Sequence, residues 1–400
     1  MSERIEVLTD LESGIWLDKF KLDDSTGPKL DGSPHWSIDK RTLRGGPSHD
    51  VDVVTVNNGT LSFDVLPTRG MGLWRGDYQG LQLGWRSPVR FPVHPSLVDV
   101  TTRNGLGWLA GFNEWMCRCG LSSLGGPGID TIDNADGTRV EEPVTLHGRI
   151  ANTPAHFVSV EAQNDGAGRL MVRGTVDEAM LFGPKLRLHA TVETDAGSNW
   201  LKITDEITNF GDEASELQIM YHTNLGEPLL EAGGQVVAAA RQIAPYDEGS
   251  ASAIEQWMSY AGPTPGFTQQ CYFLEPIADE QGVAQALLHN AAGDKGVSIK
   301  FNIQELPCFT LWKNTAGASD GYVTGLEPGT SYPNLKTFER QQGRVVVLAP
   351  GESYRASIQI EVHDSAVEVQ ALADRIHGIQ DGGGPELHAK LHPSFSPDAS

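Results

Sequence analysis

Three side chains of this sequence are suited to moving protons: Glu327, His147 and His222. Glu327 follows the apolar run 322–326 and directly precedes Pro328. Because proline lacks a backbone donor and interrupts strand pairing, this pattern predicts a strand that ends at Glu327, beside a cleft or solvent. Histidine titrates near neutral pH and a carboxylate can act as a base, so an acid–base site forms if the fold brings the three together. A surface glutamate and two structural histidines are the alternative.

His222 ends another apolar run, 217–221, and is followed by Asn224 and a glycine turn. Polar groups at the end of such a strand often point into the concave face of a sheet. The pattern therefore places His222 and Asn224 in a candidate cleft. A buried, hydrogen-bonded pair with no contact to a ligand is the alternative.

Four further residues are candidate ligands of a substrate. Arg69 lies in a glycine-rich turn, where the backbone can approach a ligand closely; a solvated arginine in a tight turn is the alternative. Trp108 and Trp312 could stack on the apolar face of a sugar, although tryptophan more often packs in a core. Asp247 follows a strand-like run and is expected to reach the same cleft.

The elements that must position these residues are mostly short strands. Asn58-Gly59 separates two β-rich runs and is a strong hairpin signal. Alternating runs with glycine, proline, asparagine and aspartate turns, together with 45 glycines, predict an all-β fold: a large antiparallel β-sandwich with few short helices. The predicted strands are 51–57, 60–66, 186–194, 200–208, 296–303, 308–313, 321–327, 344–348 and 353–362, and the predicted helices are 11–17 and 364–379.

The sandwich is expected to occupy residues 44–363 as one domain. Residues 1–43 are expected to form an N-terminal extension packing on the sandwich. Residues 364–400 are expected to form a C-terminal helix and a loosely ordered tail, because the tail is rich in glycine, proline and serine.

Composition narrows the classes of partner. The formal net charge of −22 argues against binding to nucleic acid or to an anionic membrane, since both need a positive surface. No apolar run is long enough to span a bilayer, and the N-terminus lacks the pattern of a secretory leader, so a cytoplasmic location is expected. The four cysteines are predicted to be buried free thiols: Cys117, Cys119, Cys271 and Cys308.

The order of the motifs resembles that of the aldose 1-epimerase (galactose mutarotase) superfamily, most closely its less characterised bacterial aldose-1-epimerase-like branch. The resemblance runs from about residue 44 to about residue 362. It implies a galactose mutarotase-like supersandwich with a sugar-binding cleft. The motifs that carry it are Arg69, His147-Gly148, His222 with Asn224, Glu327-Pro328 and Pro333-Asn334.

The resemblance also implies roles. His222 would be the general acid and Glu327 the general base of a mutarotase that interconverts the anomers of a free, mostly neutral sugar. His147 would bind or polarise the sugar, and Arg69 would hold its hydroxyls. An acid and a base suffice for ring opening and reclosure, so no cofactor is expected, and the partner is a small-molecule sugar.

The sequence departs from the family pattern at Arg149, where mutarotases have glycine, and at Thr223, which alone separates His222 from Asn224. These departures leave the sugar and the reaction open. One alternative is an isomerase or lyase on an oxidised sugar, with a divalent metal held by His147, His222 and Glu327. Another is a non-catalytic carbohydrate-binding protein, since fold does not fix function. The oligomeric state is also open.

Overall fold

The structure is a computed structural model that describes residues 2–31, 35–133, 137–380 and 383–399. Strands β1 to β26 are, in chain order, Ser2–Asp10, Ile15–Trp16, Lys19–Asp23, Ser37–Thr42, Asp52–Asn57, Leu61–Leu66, Gly72–Tyr78, Leu81–Leu83, Met116–Leu121, Gly128–Asp133, Arg139–Val144, Phe157–Asn164, Arg169–Ala179, Lys185–Asp195, Trp200–Asn209, Ser215–Leu225, Gln235–Ala238, Ala240–Pro245, Gln270–Pro276, Val283–His289, Gly296–Asn302, Cys308–Thr315, Tyr322–Gly329, Val346–Leu348, Ser353–His363 and Glu386–Leu387. Helices α1 to α5 are Thr102–Gly105, Glu248–Ala251, Ala318–Gly321, Lys336–Gln341 and Ala366–Ile379.

Two large sheets form the body of the protein. The smaller has ten strands among the described residues, in the order β17-β20-β21-β25-β15-β14-β13-β12-β1-β2. The larger runs β26-β18-β19-β22-β23-β16-β9-β7-β6-β5-β4-β3, with β8 beside β7 and β24 beside β16. Among the strands that the structure describes, the pairs are antiparallel except β18 with β26. This architecture confirms the predicted galactose mutarotase-like β-sandwich.

The core lies between the inner faces of the two sheets. In β14 every second residue from Leu186 to Thr194 is buried, which is the period of a strand with one face covered. Side chains of both sheets meet in one apolar cluster, which includes Leu188 and Ile203 of the smaller sheet and Ile219 and Leu311 of the larger. The larger sheet has a second face, pointing away from the smaller sheet, which we call the outer face.

Most of the predicted elements are present. Asn58-Gly59 joins β5 to β6, and β14 pairs with β15 as the alternating pattern indicates. Helix α5 begins after Ser365, whose side chain accepts the backbone N–H of Glu368, and it lies within the predicted helix 364–379. The prediction of a helix over 11–17 is wrong. That segment is a turn followed by β2, which pairs with β1, because tertiary pairing at the sheet edge outweighs local helix propensity.

The chain ends are part of the sheets. The first 43 residues supply β1 and β2 to the smaller sheet and β3 and β4 to the larger. In the C-terminal segment β26 pairs with β18, and Phe395 is buried against Tyr332. Part of the described tail therefore contacts the larger sheet, through this aromatic contact and the short β26 ladder. No helix among the described residues has the length and apolar character needed to cross a membrane.

Candidate active site

Four adjacent strands set the candidate site on the outer face of the larger sheet. The β9/β16 register places Cys117 opposite His222. The β16/β23 register, with Met220 opposite Gly329 and Thr223 opposite Leu326, brings Glu327 beside His222. Thr310 of β22 lies opposite Glu327. Opposed residues share a face of a sheet, so one row crosses the four strands: Cys117, His222, Glu327 and Thr310.

Glu327 does not stand at a strand end, as the sequence predicted. Strand β23 continues through Pro328, which lies opposite Phe309 of β22, to Gly329. The strand tolerates this proline because it is paired with neighbouring strands before and after Pro328. Leu326 pairs with Thr223 of β16, and Gly329 pairs with Met220 of β16. Glu327 is therefore a mid-sheet residue with 2 % of its side chain exposed.

His222 and Glu327 are in direct contact. Nε2 of His222 lies 3.2 Å from Oε1 of Glu327, without the alignment of a regular hydrogen bond. The His222 side chain is 5 % exposed. Nδ1 of His222 and the Thr310 hydroxyl have no hydrogen-bond partner among the described residues. Buried polar atoms usually have hydrogen-bond partners, so these two atoms could form hydrogen bonds with a ligand.

Burial changes the protonation of this pair. It raises the pKa of Glu327 well above the usual carboxyl value, and the nearby Cys119 charge adds to the rise. It lowers the pKa of His222 well below the usual imidazole value, and the charge of His147 adds to the fall. Burial therefore favours the protonated form of the Glu327 carboxyl group and the neutral form of the His222 imidazole.

His147 joins the site from the loop after β11. Its Nδ1 donates to the carbonyl of Leu124 at 2.9 Å, and its ring centroid lies 5.4 Å from that of His222. Its φ of 59° is uncommon for a residue with a side chain, and such positions persist where the surroundings determine them. The next residue, Gly148, packs closely against the chain at Ser123. A Cβ at Gly148 would lie 2.1 Å from the Ser123 carbonyl oxygen, so this position has no room for a side chain.

Aromatic rings cover the histidines. The ring centroids of Phe112, Trp312 and Trp108 lie 5.1, 5.5 and 6.2 Å from that of His222. Trp108 also contacts His147 edge-on at 4.7 Å. Trp108 and Phe112 belong to the segment between β8 and β9, which we call the cover segment (residues 84–115). Phe112 was not singled out from the sequence, because a lone phenylalanine carries no signal that separates a site wall from a core.

The structure places Arg69 beneath the cover segment. Its side chain is 1 % exposed, and Nε lies 2.5 Å from Oε1 of the buried Glu114. Its remaining donors reach the carbonyls of Val93 and Gly111 and the side chain of Asn152. The guanidinium group thus binds the backbone that carries Phe112. Contact of Arg69 with a sugar hydroxyl stays a prediction.

Asn224 and Asp247 flank the site differently. The Asn224 amide donates to the carbonyl of Glu114 and to that of His222, so it joins β16 to the cover segment. Asp247 caps α2 by accepting the backbone N–H and the hydroxyl of Ser250. The Ser250 hydroxyl oxygen also accepts the backbone N–H of Cys271 at 2.9 Å, so Asp247 lies beside the Cys271 end of β19.

The structure therefore brings His147, His222, Glu327, Trp108 and Trp312 into one cluster. Arg69 and Asn224 lie directly behind it. The four cysteines are buried free thiols, as predicted, and Cys117 and Cys119 line the cluster. Within the described part of the chain, no group of three His, Cys, Asp or Glu side chains is arranged to hold a metal ion.

Comparisons with known proteins agree with this architecture. Residues 48–362 match the family model "Domain of unknown function (DUF4432)". The fold matches the crystal structure of a putative aldose 1-epimerase from Klebsiella pneumoniae with a TM-score of 0.89. The two sequences are 36 % identical, and the match covers 98 % of this chain and 99 % of that one. A galactose mutarotase-like protein from Clostridium acetobutylicum shares the fold, at 15 % identity and a TM-score of 0.55, covering 82 % of this chain and 98 % of that one.

A search of curated proteins gave no significant match. The family match spans most of the chain, and the Klebsiella structure matches it almost end to end. Both agree with the sandwich. The chain therefore belongs to the DUF4432 family, within the aldose 1-epimerase-like superfamily.

Proposed function

We propose that this protein is a mutarotase that interconverts the anomers of a free sugar by acid–base catalysis. The observation that carries the proposal is the buried His222–Glu327 pair, whose reacting atoms lie 3.2 Å apart on adjacent strands. Similarity to a putative aldose 1-epimerase supports the same reaction class.

The reaction requires two coupled proton transfers. Glu327 removes the proton of the anomeric hydroxyl, and His222 gives a proton to the ring oxygen as the C1–O bond to that oxygen breaks. Rotation about the C1–C2 bond presents the other face of the aldehyde. The two transfers then run in reverse, so the pair ends with the proton it began with and no cofactor is consumed.

The mechanism requires a particular distribution of protons between His222 and Glu327. Burial favours the proton on Glu327, whereas the proposed reaction needs it on His222. Sugar hydroxyls that donate to the carboxylate would stabilise its charged form, because hydrogen bonds to a charged group favour that form. We infer that the sugar itself moves the proton across the pair, so that the reactive state exists only when substrate is bound.

The walls of the site favour a neutral ligand. Aromatic rings of Trp108, Phe112 and Trp312 offer flat apolar surfaces to the C–H face of a sugar. The guanidinium of Arg69 is already bound to Glu114 and three further acceptors, so it adds no unpaired positive charge. A sugar without phosphate fits this balance.

The test is the rate of anomer exchange, measured by NMR exchange spectroscopy over a panel of neutral aldoses. Wild-type protein should accelerate the exchange of at least one sugar. Glu327→Gln and His222→Gln should each lower that rate by about 10²- to 10⁴-fold, the usual contribution of a general acid or base. Glu206→Gln, which changes an exposed carboxylate on the smaller sheet, should leave the rate unchanged. Wild-type protein that accelerates no sugar of the panel overturns the proposal.

A further inference from the structure

Pro333-Asn334 carries part of the family resemblance, yet the reaction proposed above does not use it. Both residues lie between β23, which holds Glu327, and helix α4. Asn334 is buried, with 3 % of its surface exposed. A buried polar side chain outside the acid–base cluster needs a reason, and the contacts of this motif supply one.

The backbone of the motif packs against the loop between β9 and β10, which we call the glycine loop (residues 122–127). The N–H of Gly126 donates to the Pro333 carbonyl at 3.1 Å. A Cβ at Gly125 would lie 1.7 Å from the carbonyl oxygen of Asn334, so the two backbones meet where only glycine fits. The glycine loop therefore takes its position from the backbone of Pro333 and Asn334.

The glycine loop holds His147 by two hydrogen bonds. The backbone N–H of His147 donates to the Gly125 carbonyl at 3.0 Å, and Nδ1 of its ring donates to the Leu124 carbonyl at 2.9 Å. A carbonyl oxygen only accepts, so Nδ1 carries a proton and Nε2 of the neutral ring carries none. Nε2 is then the acceptor that His147 can offer to a hydroxyl of a ligand. The orientation and the tautomer of His147 thus depend on where the glycine loop lies.

The side chain of Asn334 fixes its backbone from the other side. Its amide donates to Oε1 of Glu339 and to the carbonyl of Phe395, both at 2.8 Å. Glu339 is fully buried, and Arg344 donates to both of its carboxylate oxygens. Hydrogen bonds to a charged group are stronger than neutral ones, so this carboxylate is a firm anchor for the amide.

The C-terminal segment completes this support. The ring centroid of Phe395 lies 5.3 Å from that of Tyr332, and both side chains are buried. The Arg344 guanidinium donates to the carbonyl of Ser394 at 2.9 Å. The carbonyls of Ser394 and Phe395 therefore accept hydrogen bonds from Arg344 and Asn334, which holds the tail over this buried cluster.

We propose that Asn334 is a positioning residue for His147, and that residues 392–396 act with it by closing over its amide. The link runs from the tail through Asn334 to the glycine loop, and from that loop to the His147 ring. The inference rests on the proposed mutarotase function for its effect on catalysis. The support of His147 exists whether or not the protein turns over a sugar.

The first experiment needs no sugar. Hydrogen exchange of the backbone amides of Gly126 and His147 is measured by NMR in wild type and in Asn334→Ala. The variant loses two buried hydrogen bonds, so both amides should exchange about tenfold faster through local opening of the glycine loop. An unchanged rate at either amide in a folded variant overturns the proposal.

Asn209→Ala is the matched control. Asn209 is also a buried asparagine whose amide donates to two carbonyls, those of Glu213 and Leu348, but it ends β15 in the smaller sheet. This variant should lose a similar amount of stability without faster exchange at Gly126 and His147. Equal acceleration in the two variants would mean that Asn334 acts on the whole fold, and it would overturn the proposal.

A second variant covers the case in which Asn334→Ala does not fold. Phe395→Ala leaves the Asn334 amide in place but removes the ring that packs on Tyr332, so the tail is held less firmly. The nitrogen resonances of the neutral His147 ring, assigned by comparison with His147→Gln, report its tautomer. Wild type should carry the proton on Nδ1, and the resonances of Phe395→Ala should shift toward the form with the proton on Nε2. A wild-type ring protonated on Nε2, or an unshifted ring in Phe395→Ala, overturns the proposal.

Catalysis supplies a separate reading. A displacement of His147 near 1 Å should lower kcat/KM for anomer exchange by about 10²-fold in Asn334→Ala, whereas Asn209→Ala should keep the wild-type value. Absence of sugar turnover in wild type would refute the proposed function alone. Faster amide exchange at His147 with an unchanged kcat/KM would refute only the link from the position of His147 to catalysis.

Discussion

Arg118 and Asp205 form an ion pair that crosses the sandwich directly behind the candidate site. Nε and one terminal nitrogen of Arg118 lie 2.5 and 2.8 Å from the two Asp205 oxygens, and both side chains are fully buried. The Tyr221 hydroxyl donates to the same carboxylate at 2.9 Å. Arg118 separates Cys117 from Cys119, and Tyr221 precedes His222, so the pair anchors both strands of the site to the smaller sheet.

Removing one member of this pair should destabilise the fold strongly. Asp205→Asn leaves a buried guanidinium without its counter-charge, and we expect the free energy of unfolding to fall by about 3–5 kcal/mol. The measurement is urea denaturation at neutral pH. Asp177→Asn is the matched control, because its partner Arg187 is partly exposed; it should cost about 1 kcal/mol or less. Equal losses would contradict an anchoring role for Asp205.

Glu327→Gln should make the protein inactive and more stable. In the folded state burial raises the pKa of Glu327 well above the usual carboxyl value, whereas in the unfolded chain the carboxyl group loses its proton above about pH 4.3. The contribution of this proton to the stability of the wild-type protein is therefore fully present below that pH, and it is lost as pH rises through the raised pKa. The variant avoids this loss, so its advantage should be absent near pH 4 and grow by up to about 1.4 kcal/mol per pH unit above it. Thermal unfolding of both proteins from pH 4 to 8 measures the difference, and a constant difference would refute the raised pKa.

Gly325→Ala should disturb the site without straining the backbone. A Cβ at Gly325 would lie 2.1 Å from Oε1 of Glu327 and 3.2 Å from Cε1 of His222. The carboxylate must move, and a misplacement near 1 Å lowers catalysis by about 10²-fold. Anomer exchange rates provide the measurement. Gly378→Ala in α5, where a Cβ meets open space, should leave the rate unaltered.

Lys313 should give stability a second dependence on pH. Its ammonium group donates to the carbonyls of Gln256, Trp257 and Ser259, and burial lowers its pKa to about 8. The unfolded chain keeps this proton to about pH 10.4, so the contribution of Lys313 to stability should increase between pH 8 and 10. The difference in unfolding free energy between wild type and Lys313→Met isolates that contribution. A difference independent of pH across this window would contradict the lowered pKa.

The sequence predicted the residue types of the site better than their geometry. The order of His147, His222 and Glu327 indicated the family, and the two-residue period indicated which faces of β14 and β15 are buried. Register was beyond reach, because the contact of His222 with Glu327 joins positions more than 100 residues apart. The rule that proline ends a strand failed at Pro328, where neighbouring strands outweigh the local preference. The partners of Arg69 were equally hidden, since Glu114 and Gly111 become acceptors only when the cover segment folds.

The coverage of His222 and Glu327 has a consequence for measured affinity. On the proposed function, the rings of Phe112 and Trp108 would have to move before a sugar could reach the pair. Arg69 would oppose that movement, because it donates to the carbonyls of Gly111 and Val93. Only the open fraction of molecules binds, so the apparent dissociation constant equals the intrinsic one divided by that fraction. A variant that weakens the hydrogen bonds of Arg69 to the cover segment would therefore have a lower apparent dissociation constant for the sugar, while its cover segment would close over the bound sugar less completely.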